Sequence, residues 1–381
     1  MSVRELLVTG NRSSIRRHRL LFDALVPHVG RIRFLETRND TLPAKASLAW
    51  KTMLHGVPRV FRRGDVPRRQ RLDPRFLRDS FVKSAGSFIA SSRKIEHRIE
   101  ALDPVPDLIF HVFGLSSPVW DRLDIPYVYY LDYTMALAKR RWARAAPYFS
   151  ADDYRAWIDC ERAAYSRAAR LFSMSNLVRE SLINDYGIDP EKITVVGSSG
   201  NFPEPYAGPK TFGSRQILVN GSDFSRKGGA IALSAFRQVR EAIPNSKLVF
   251  IGRALKGAGD GVTSAGFIAS PADLADLFLT TDVVIAPSHC DPFPGFLIEA
   301  MNYGVPCIAF PNDGMVEIVD HNETGIILED ASADGLARAV IDLLPDVDRL
   351  RIFSEAGRKK VRERLNWPVI AAMMARRLPG S

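Results

Sequence analysis

Three features of the sequence predict an α/β protein of two doubly wound domains facing across a cleft. Short apolar runs alternate with amphipathic segments, a Gly- and Pro-rich break falls near the middle of the 381 residues, and a second alternating set follows it. In the first half, strands are predicted at 5–9, 31–36, 108–112, 127–131, 170–174 and 193–196. The run 152–170 reads as a helix feeding the next strand. A further helix over 176–186 stops at Gly187, a residue suited to the left-handed position that ends helices. Asp189-Pro190 then turns the chain into the strand that follows. Residues 197–214 concentrate Gly and Pro and mark a linker. Beyond it come strands at 216–219, 247–251, 282–286 and 306–310, with helices over 229–243, 271–279, 295–303 and 332–344. The expected division is an N-terminal domain over 1–200, a C-terminal domain over 214–364 and a closing segment over 365–381. A ligand belongs in the cleft, at the carboxyl ends of the strands.

Charge is unevenly placed. The chain carries 52 Lys and Arg against 43 Asp and Glu, yet residues 1–100 hold 22 against 9, a net +13, which leaves the remainder at −4. A uniformly basic protein is excluded, and a local anionic partner is expected instead. The excess is densest over 45–83, with eleven cations, Arg59, Arg62, Arg63, Arg68 and Arg69 among them, and three acids. Leu48, Trp50, Met53, Leu54 and Val57 recur at helical spacing with cations on the flank, the pattern of a helix lying on an anionic membrane surface. A solvated helix face followed by a basic loop fits the same residues. No recognised nucleic-acid-binding module accompanies the charge.

Cys160, Cys290 and Cys307 lie far apart and form no C-x-x-C pair, so neither a disulfide framework nor a cysteine metal site is indicated. The apolar run at the start is too short for a signal sequence, and no stretch approaches the ~20 apolar residues of a membrane span. A cytoplasmic protein is expected, or one peripheral at the inner face of the cell membrane.

The chemistry concentrates in APSHCDPFPGFLIEAMNYGVPCIAFPNDGMVEIV, residues 286–319. It reads as a strand ending in a Pro- and Gly-rich turn, then a helix. Backbone amides at Gly295 and Phe296 would face out of the helix N-terminus, with the helix dipole behind them, and offer an anion site. Asp291 in the turn could fix a sugar hydroxyl. Glu299, eight residues on, could accept both donors of a ribose diol. A cap acid and a surface Glu would look the same on two carboxylates alone.

The full string resembles the donor-binding domain of the retaining GT-B glycosyltransferases of family 4, with their E-x7-E, E-A-M-A-x-G-x-P and G-G-x-x-E segments. The match runs through Asp291, Glu299-Ala300-Met301, Gly304-Val305-Pro306 and Asp313 to Ile318, and Phe293 is assigned to donor binding with Pro294, Gly295 and Phe296. Asp291 stands where the family has its first Glu. Pro294 stands where Gly is usual, which removes one backbone donor. Upstream, LVNGSDFSRKGGAIALSAF resembles the family's strand–loop–helix in which Arg and Lys hold a nucleoside diphosphate. Gly221 opens that loop, Lys227 aligns, the family's Arg falls at Ser222, and Arg226 is assigned its role. Two cations at a Gly-rich helix start are a sound diphosphate clamp.

In the first half, 161–196 and 106–133 resemble the family's joining stretch and acceptor-domain strands. Asp132 stands where the family often carries a sugar-contacting His, and His111 ends the preceding strand and offers an alternative. Residues 366–378 resemble the last helix, which in the family crosses back to the first domain. The resemblance covers roughly 105–380, and residues 35–104 match nothing recognisable.

The resemblance implies two Rossmann-like domains in a GT-B arrangement, a UDP- or GDP-linked sugar as donor, retention at the anomeric carbon, and neither a metal nor a further cofactor. The implied acceptor is lipid-linked or a cell-surface glycan. A nucleotide-sugar epimerase of the same fold, or transfer to nucleic acid or protein, stays open.

Overall fold

The computed structural model describes residues 3–37, 73–255 and 259–379. The chain divides into two compact units. Unit 1 takes the chain up to Val196 and again from Ala371 onward, and unit 2 is Gly197–Ile370.

Unit 1 begins with β1 (Glu5–Asn11), α1 (Arg12–Arg17), α2 (Arg19–Leu25) and β2 (Arg31–Thr37). Beyond residue 72 come α3 (Pro74–Val82), α4 (Ala85–Glu100), β3 (Leu108–Val112) and β4 (Tyr127–Leu131). The remainder is α5 (Met135–Arg141), α6 (Ala151–Arg167), β5 (Arg170–Ser173), α7 (Asn176–Asn184) and β6 (Ile193–Val195). Its six strands order as β2-β1-β3-β4-β5-β6 and pair in parallel. β3 and β4 are buried throughout, which is why they read as unbroken apolar runs. One face of the sheet packs Leu7, Ile109 and Tyr129 against Phe88, Ile95 and Ile99 of α4 and Trp157 and Tyr165 of α6. Aromatic edges stiffen this layer. Phe88 meets Trp157 at 5.2 Å, and Tyr129 meets Tyr165 at 5.2 Å.

Helix starts in unit 1 follow their caps. Ser84, Ser150 and Ser175 each accept a backbone N–H three residues on, at the heads of α4, α6 and α7. Glu96 of α4 is buried, and its carboxylate accepts the backbone N–H groups of Trp120, Asp121, Arg122 and Leu123, which locks the loop before β4. The helical pattern over 48–57 and Arg59, Arg62, Arg63, Arg68 and Arg69 lie outside the described residues. The last part of that basic segment is described, and it forms α3.

Unit 2 comprises β7 (Gln216–Asn220), α8 (Gly229–Ala242), β8 (Lys247–Ile251), β9 (Val262–Gly266), α9 (Pro271–Leu279), β10 (Val283–Ala286) and α10 (Gly295–Asn302). Then come β11 (Cys307–Ala309), α11 (Met315–Ile318), β12 (Gly325–Ile327), α12 (Ala333–Leu343) and α13 (Val347–Glu363). α14 (Trp367–Ala375) runs across the boundary between the units. The parallel strand order is β12-β11-β10-β7-β8-β9. Leu218, Phe250, Val284, Leu297, Ile298 and Met301 are buried in one core. Among the described residues no helix is long and apolar enough to cross a membrane.

The segment before β7 is anchored rather than loose. Asp282 accepts the N–H groups of Gly213 and Arg215, and the Lys210 ammonium donates to the carbonyls of Phe278 and Leu279 at the end of α9. A cation there satisfies helix carbonyls and complements the dipole.

Candidate active site

In unit 2 the chain builds the sheet outward from β7, first toward β8 and β9 and then toward β10, β11 and β12. The order reverses between β7 and β10, and a ligand crevice belongs at their carboxyl ends. Two loops meet there: 221–228, which leads into α8, and 287–294, which leads into α10. Asn220, Lys227, Ser288, Asp291, Pro294 and Phe296 line a small pocket between them. The loops touch backbone to backbone. Gly228 adopts φ +70°, and a Cβ on it would collide with the Pro287 carbonyl oxygen, so this position requires glycine twice over.

Opposite charges join the loops. The Lys227 ammonium donates to Asp291 Oδ2 at 2.5 Å, and both side chains are largely buried. Arg226 Nη1 donates to the Cys290 carbonyl at 2.7 Å and lies 3.5 Å from Asp291 Oδ1. Arg226 Nε pairs with Asp223 Oδ2 at 3.2 Å, while the Arg226 carbonyl accepts the His289 N–H at 2.8 Å. Arg226 and Lys227 are therefore fixed beside Asp291, one cation on each of its oxygens. α10 starts alongside, after Pro294, with no side chain capping it. Within that first turn the Leu297 N–H bonds the Pro294 carbonyl at 3.1 Å.

Glu299 is half-buried one turn into α10, and its Oε1 accepts the Asn201 N–H at 2.8 Å. A Cβ on Gly200 would collide with the Glu299 side chain, so the 200–201 strap lies directly on it. Trp367 Nε1 holds that strap by donating to the Gly200 carbonyl at 2.9 Å. Burial raises the Glu299 pKa, and the Asn201 N–H partly offsets this by bonding the carboxylate. Gly221 N–H donates to the Ile251 carbonyl at 2.8 Å and Ser222 N–H to Asn220 Oδ1 at 3.0 Å, which shapes the start of the first loop. Phe293 is half-buried.

A third loop, beyond β11, grips the second, and sequence reasoning gave it no role. Asn312 Nδ2 donates to the Ser288 carbonyl, Asp313 Oδ2 accepts the Asp291 N–H at 2.8 Å, and Gly314 N–H donates to the Pro292 carbonyl. The Asp-Gly dipeptide signals a turn, but nothing local says that its carboxylate reaches 22 residues back.

In unit 1 the strand order reverses at β1 and β3, and His111 lies there in register with Thr9. Its Nδ1 is 2.7 Å from Thr9 Oγ1 and its Nε2 is 3.3 Å from Ser116 Oγ. Burial lowers its pKa to about 3, so the ring is neutral near pH 7 and shows no open face. Asp132 follows β4 directly and is half-buried. The structure thus gathers Arg226, Lys227, Asp291, Pro294 and Phe296 in unit 2 and places Gly295 and Glu299 on the helix that begins there, with Asp132 and His111 at strand ends of unit 1. Among the described residues no group of three or more His, Cys, Asp or Glu is arranged to hold a metal ion.

Two parallel doubly wound units are the architecture of GT-B glycosyltransferases. Residues 54–198 match the family model described as Glycosyltransferase Family 4, and residues 208–360 match the one described as Glycosyl transferases group 1. The chain belongs to the GT-B glycosyltransferases of this family 4, group 1 type. The first match begins at residue 54 and so takes in part of 35–104, where the sequence alone had shown no resemblance.

Among curated relatives, the GDP-mannose-dependent alpha-(1-6)-phosphatidylinositol monomannoside mannosyltransferase of Mycobacterium tuberculosis is 33% identical over 172 residues, 41% of this chain and 45% of that protein. The chain thus spans less than half the length of that relative. Among solved structures, sucrose-phosphate synthase from Thermosynechococcus elongatus superimposes with a TM-score of 0.68 at 18% identity, covering 98% of both chains. WaaG, a glycosyltransferase involved in lipopolysaccharide biosynthesis, superimposes with a TM-score of 0.66 at 14% identity, covering 99% of this chain and 100% of its own. At these identities the superpositions speak for the fold.

Proposed function

We propose that the chain is a retaining glycosyltransferase that moves a sugar from a UDP- or GDP-linked donor to a lipid-linked or other cell-surface glycan acceptor. The observation that carries this reading is the Arg226–Lys227–Asp291 cluster beside the uncapped start of α10. When the glycosidic bond to the donor breaks, negative charge grows on the departing diphosphate. Fixed cations and helix-start amides stabilise that charge without reorganising. Lys227 and Arg226 hold the diphosphate, Asp291 orients the sugar, and Glu299 takes ribose hydroxyls through the oxygen that Asn201 leaves open. In unit 1 the acceptor role falls to the strand ends around Asp132, with the neutral His111 shaping their floor.

The test begins with binding. One of GDP and UDP raises the melting temperature, because a ligand at a hundredfold excess over Kd stabilises the native state by about 2.7 kcal/mol. No shift with either of them at millimolar concentration would sink the donor site. Turnover with the matching sugar nucleotide then requires an acceptor, for which phosphatidylinositol mannosides are the first choice from the relative's name. Conversion of the donor alone into another sugar nucleotide means epimerisation instead.

The reading also places the protein at the cytoplasmic face of the membrane, held by the cations over 45–83, including Arg59, Arg62, Arg63, Arg68 and Arg69. Flotation with vesicles rich in anionic lipid is expected at low salt and lost as salt is raised, since screening shortens the reach of surface charge. Equal flotation with neutral vesicles, or none at all, overturns this placement.

A further inference from the structure

We infer that Asp313 is a positioning residue, which with Asn312 and Gly314 brackets the loop carrying Asp291 and sets the aim of its carboxylate. The inference rests on the donor-site reading above and names a part of the machinery that reading does not contain.

The bracket makes three contacts in near succession. Asn312 Nδ2 holds the Ser288 carbonyl at 2.9 Å, Asp313 Oδ2 holds the Asp291 N–H at 2.8 Å, and Gly314 N–H holds the Pro292 carbonyl at 3.0 Å. Together they span the loop on both sides of Asp291. Asp313 is 4% exposed, and its backbone sits at φ +48°, a left-handed conformation that a non-glycine residue adopts at a cost and Asp tolerates better than most. That backbone aims its carboxylate back at the loop. A charged acceptor makes the stronger kind of hydrogen bond to a backbone N–H.

Gly314 is equally constrained, since a Cβ there would collide with the Pro292 carbonyl oxygen and the Phe293 ring. Asp313 touches the peptide of Asp291, whereas Lys227 and Arg226 touch the carboxylate of Asp291. The loop is thus held from its backbone on one side and from its side chain on the other. If Asp291 faces the sugar and Lys227 the diphosphate, loosening the bracket disturbs the reacting sugar more than nucleotide binding.

The experiment compares Asp313→Gly, which keeps the left-handed backbone without the carboxylate, with Asp313→Asn, which keeps an acceptor oxygen. GDP and UDP are the binding probes, and the matching sugar nucleotide is the substrate. Asp313→Gly is expected to lower kcat by about 10- to 100-fold, the order expected when a reacting group is misplaced, while nucleoside diphosphate affinity stays within about threefold. Asp313→Asn is expected to recover most of kcat. Hydrogen exchange in a peptide covering 288–293 accelerates in the Gly variant and not in the Asn variant, a readout independent of any ligand. Unchanged exchange in Asp313→Gly, or parallel loss of kcat and affinity in both variants, overturns the bracket. If wild-type protein binds neither nucleotide, the donor reading fails by itself and exchange alone decides the bracket.

Discussion

Lys227→Met is expected to lower kcat/KM for the sugar nucleotide by about 10²–10³, the loss typical of removing one preorganised donor from a site of developing negative charge. The Lys227 ammonium is 2.5 Å from Asp291 and lies at the head of α8, where a diphosphate would reach it. Removing it also strips Asp291 of its closest cation and leaves Arg226 at 3.5 Å. A largely buried carboxylate without its partner destabilises the fold, so a loss of activity in the single variant has two readings. The double variant Lys227→Met with Asp291→Asn, read by nucleoside diphosphate affinity because Asp291 faces the sugar, separates them. It removes both charges, so its melting temperature should return toward wild type while nucleoside diphosphate affinity stays low. Recovery of that affinity in the double variant would falsify the clamp. Lys227→Arg is a sharper control, because a planar guanidinium keeps the charge but not the compact ammonium geometry. It should retain nucleotide binding better than turnover.

The parts of this architecture that could be read in advance share one property: their pattern is local. β3, β4, β7 and β8 are buried on both faces, so they appear as apolar runs flanked by turns, and their ranges in the sequence and the structure agree within a residue. β9 and β12 carry little such signal. β9 is VTSAG at the sheet edge, half exposed, and β12 spans only three residues. α13 was missed for a different reason. Its surface is crowded with Arg, Lys, Asp and Glu, and its apolar stripe is thin: Leu350, Phe353, Gly357 and Val361. In the site, Lys227 and Asp291 were visible because they sit in motifs with fixed spacing. Their pairing was not, because it joins positions 64 residues apart through the adjacency of β7 and β10. The grip of Asp313 on Asp291 is of the same kind. Tertiary adjacency of loops, unlike strand burial, leaves no periodic trace in the chain.

Three buried groups of unit 1 should contribute to the pH dependence of stability, and replacing one of them isolates its share. Glu161 of α6 is 2% exposed, and burial raises its pKa to about 7 even though Tyr186 donates to its Oε2 at 2.5 Å and Tyr165 to its Oε1 at 3.3 Å. The unfolded chain has it near 4.5. A raised carboxyl favours the fold below 4.5, and that contribution disappears as pH rises through about 7, a change of about 3 kcal/mol. His111 and His18 act in the opposite sense. Burial lowers them from 6.5 to about 3 and about 4, with the Arg17 charge adding to the effect on His18 and its hydrogen bond to the Ser14 carbonyl opposing it. Their contribution is present above 6.5 and is lost as pH falls toward those values, when the unfolded chain takes up protons that the fold refuses. Between about pH 4.5 and 6.5 the three groups together should make stability rise with pH, because two histidines outweigh one carboxyl. Glu161→Gln keeps an acceptor for Tyr186 but cannot ionise. Measured by chemical denaturation, its stability relative to wild type should improve by about 3 kcal/mol between pH 5 and pH 8. A variant-minus-wild-type difference that stays flat across that range would mean Glu161 is already ionised in the fold.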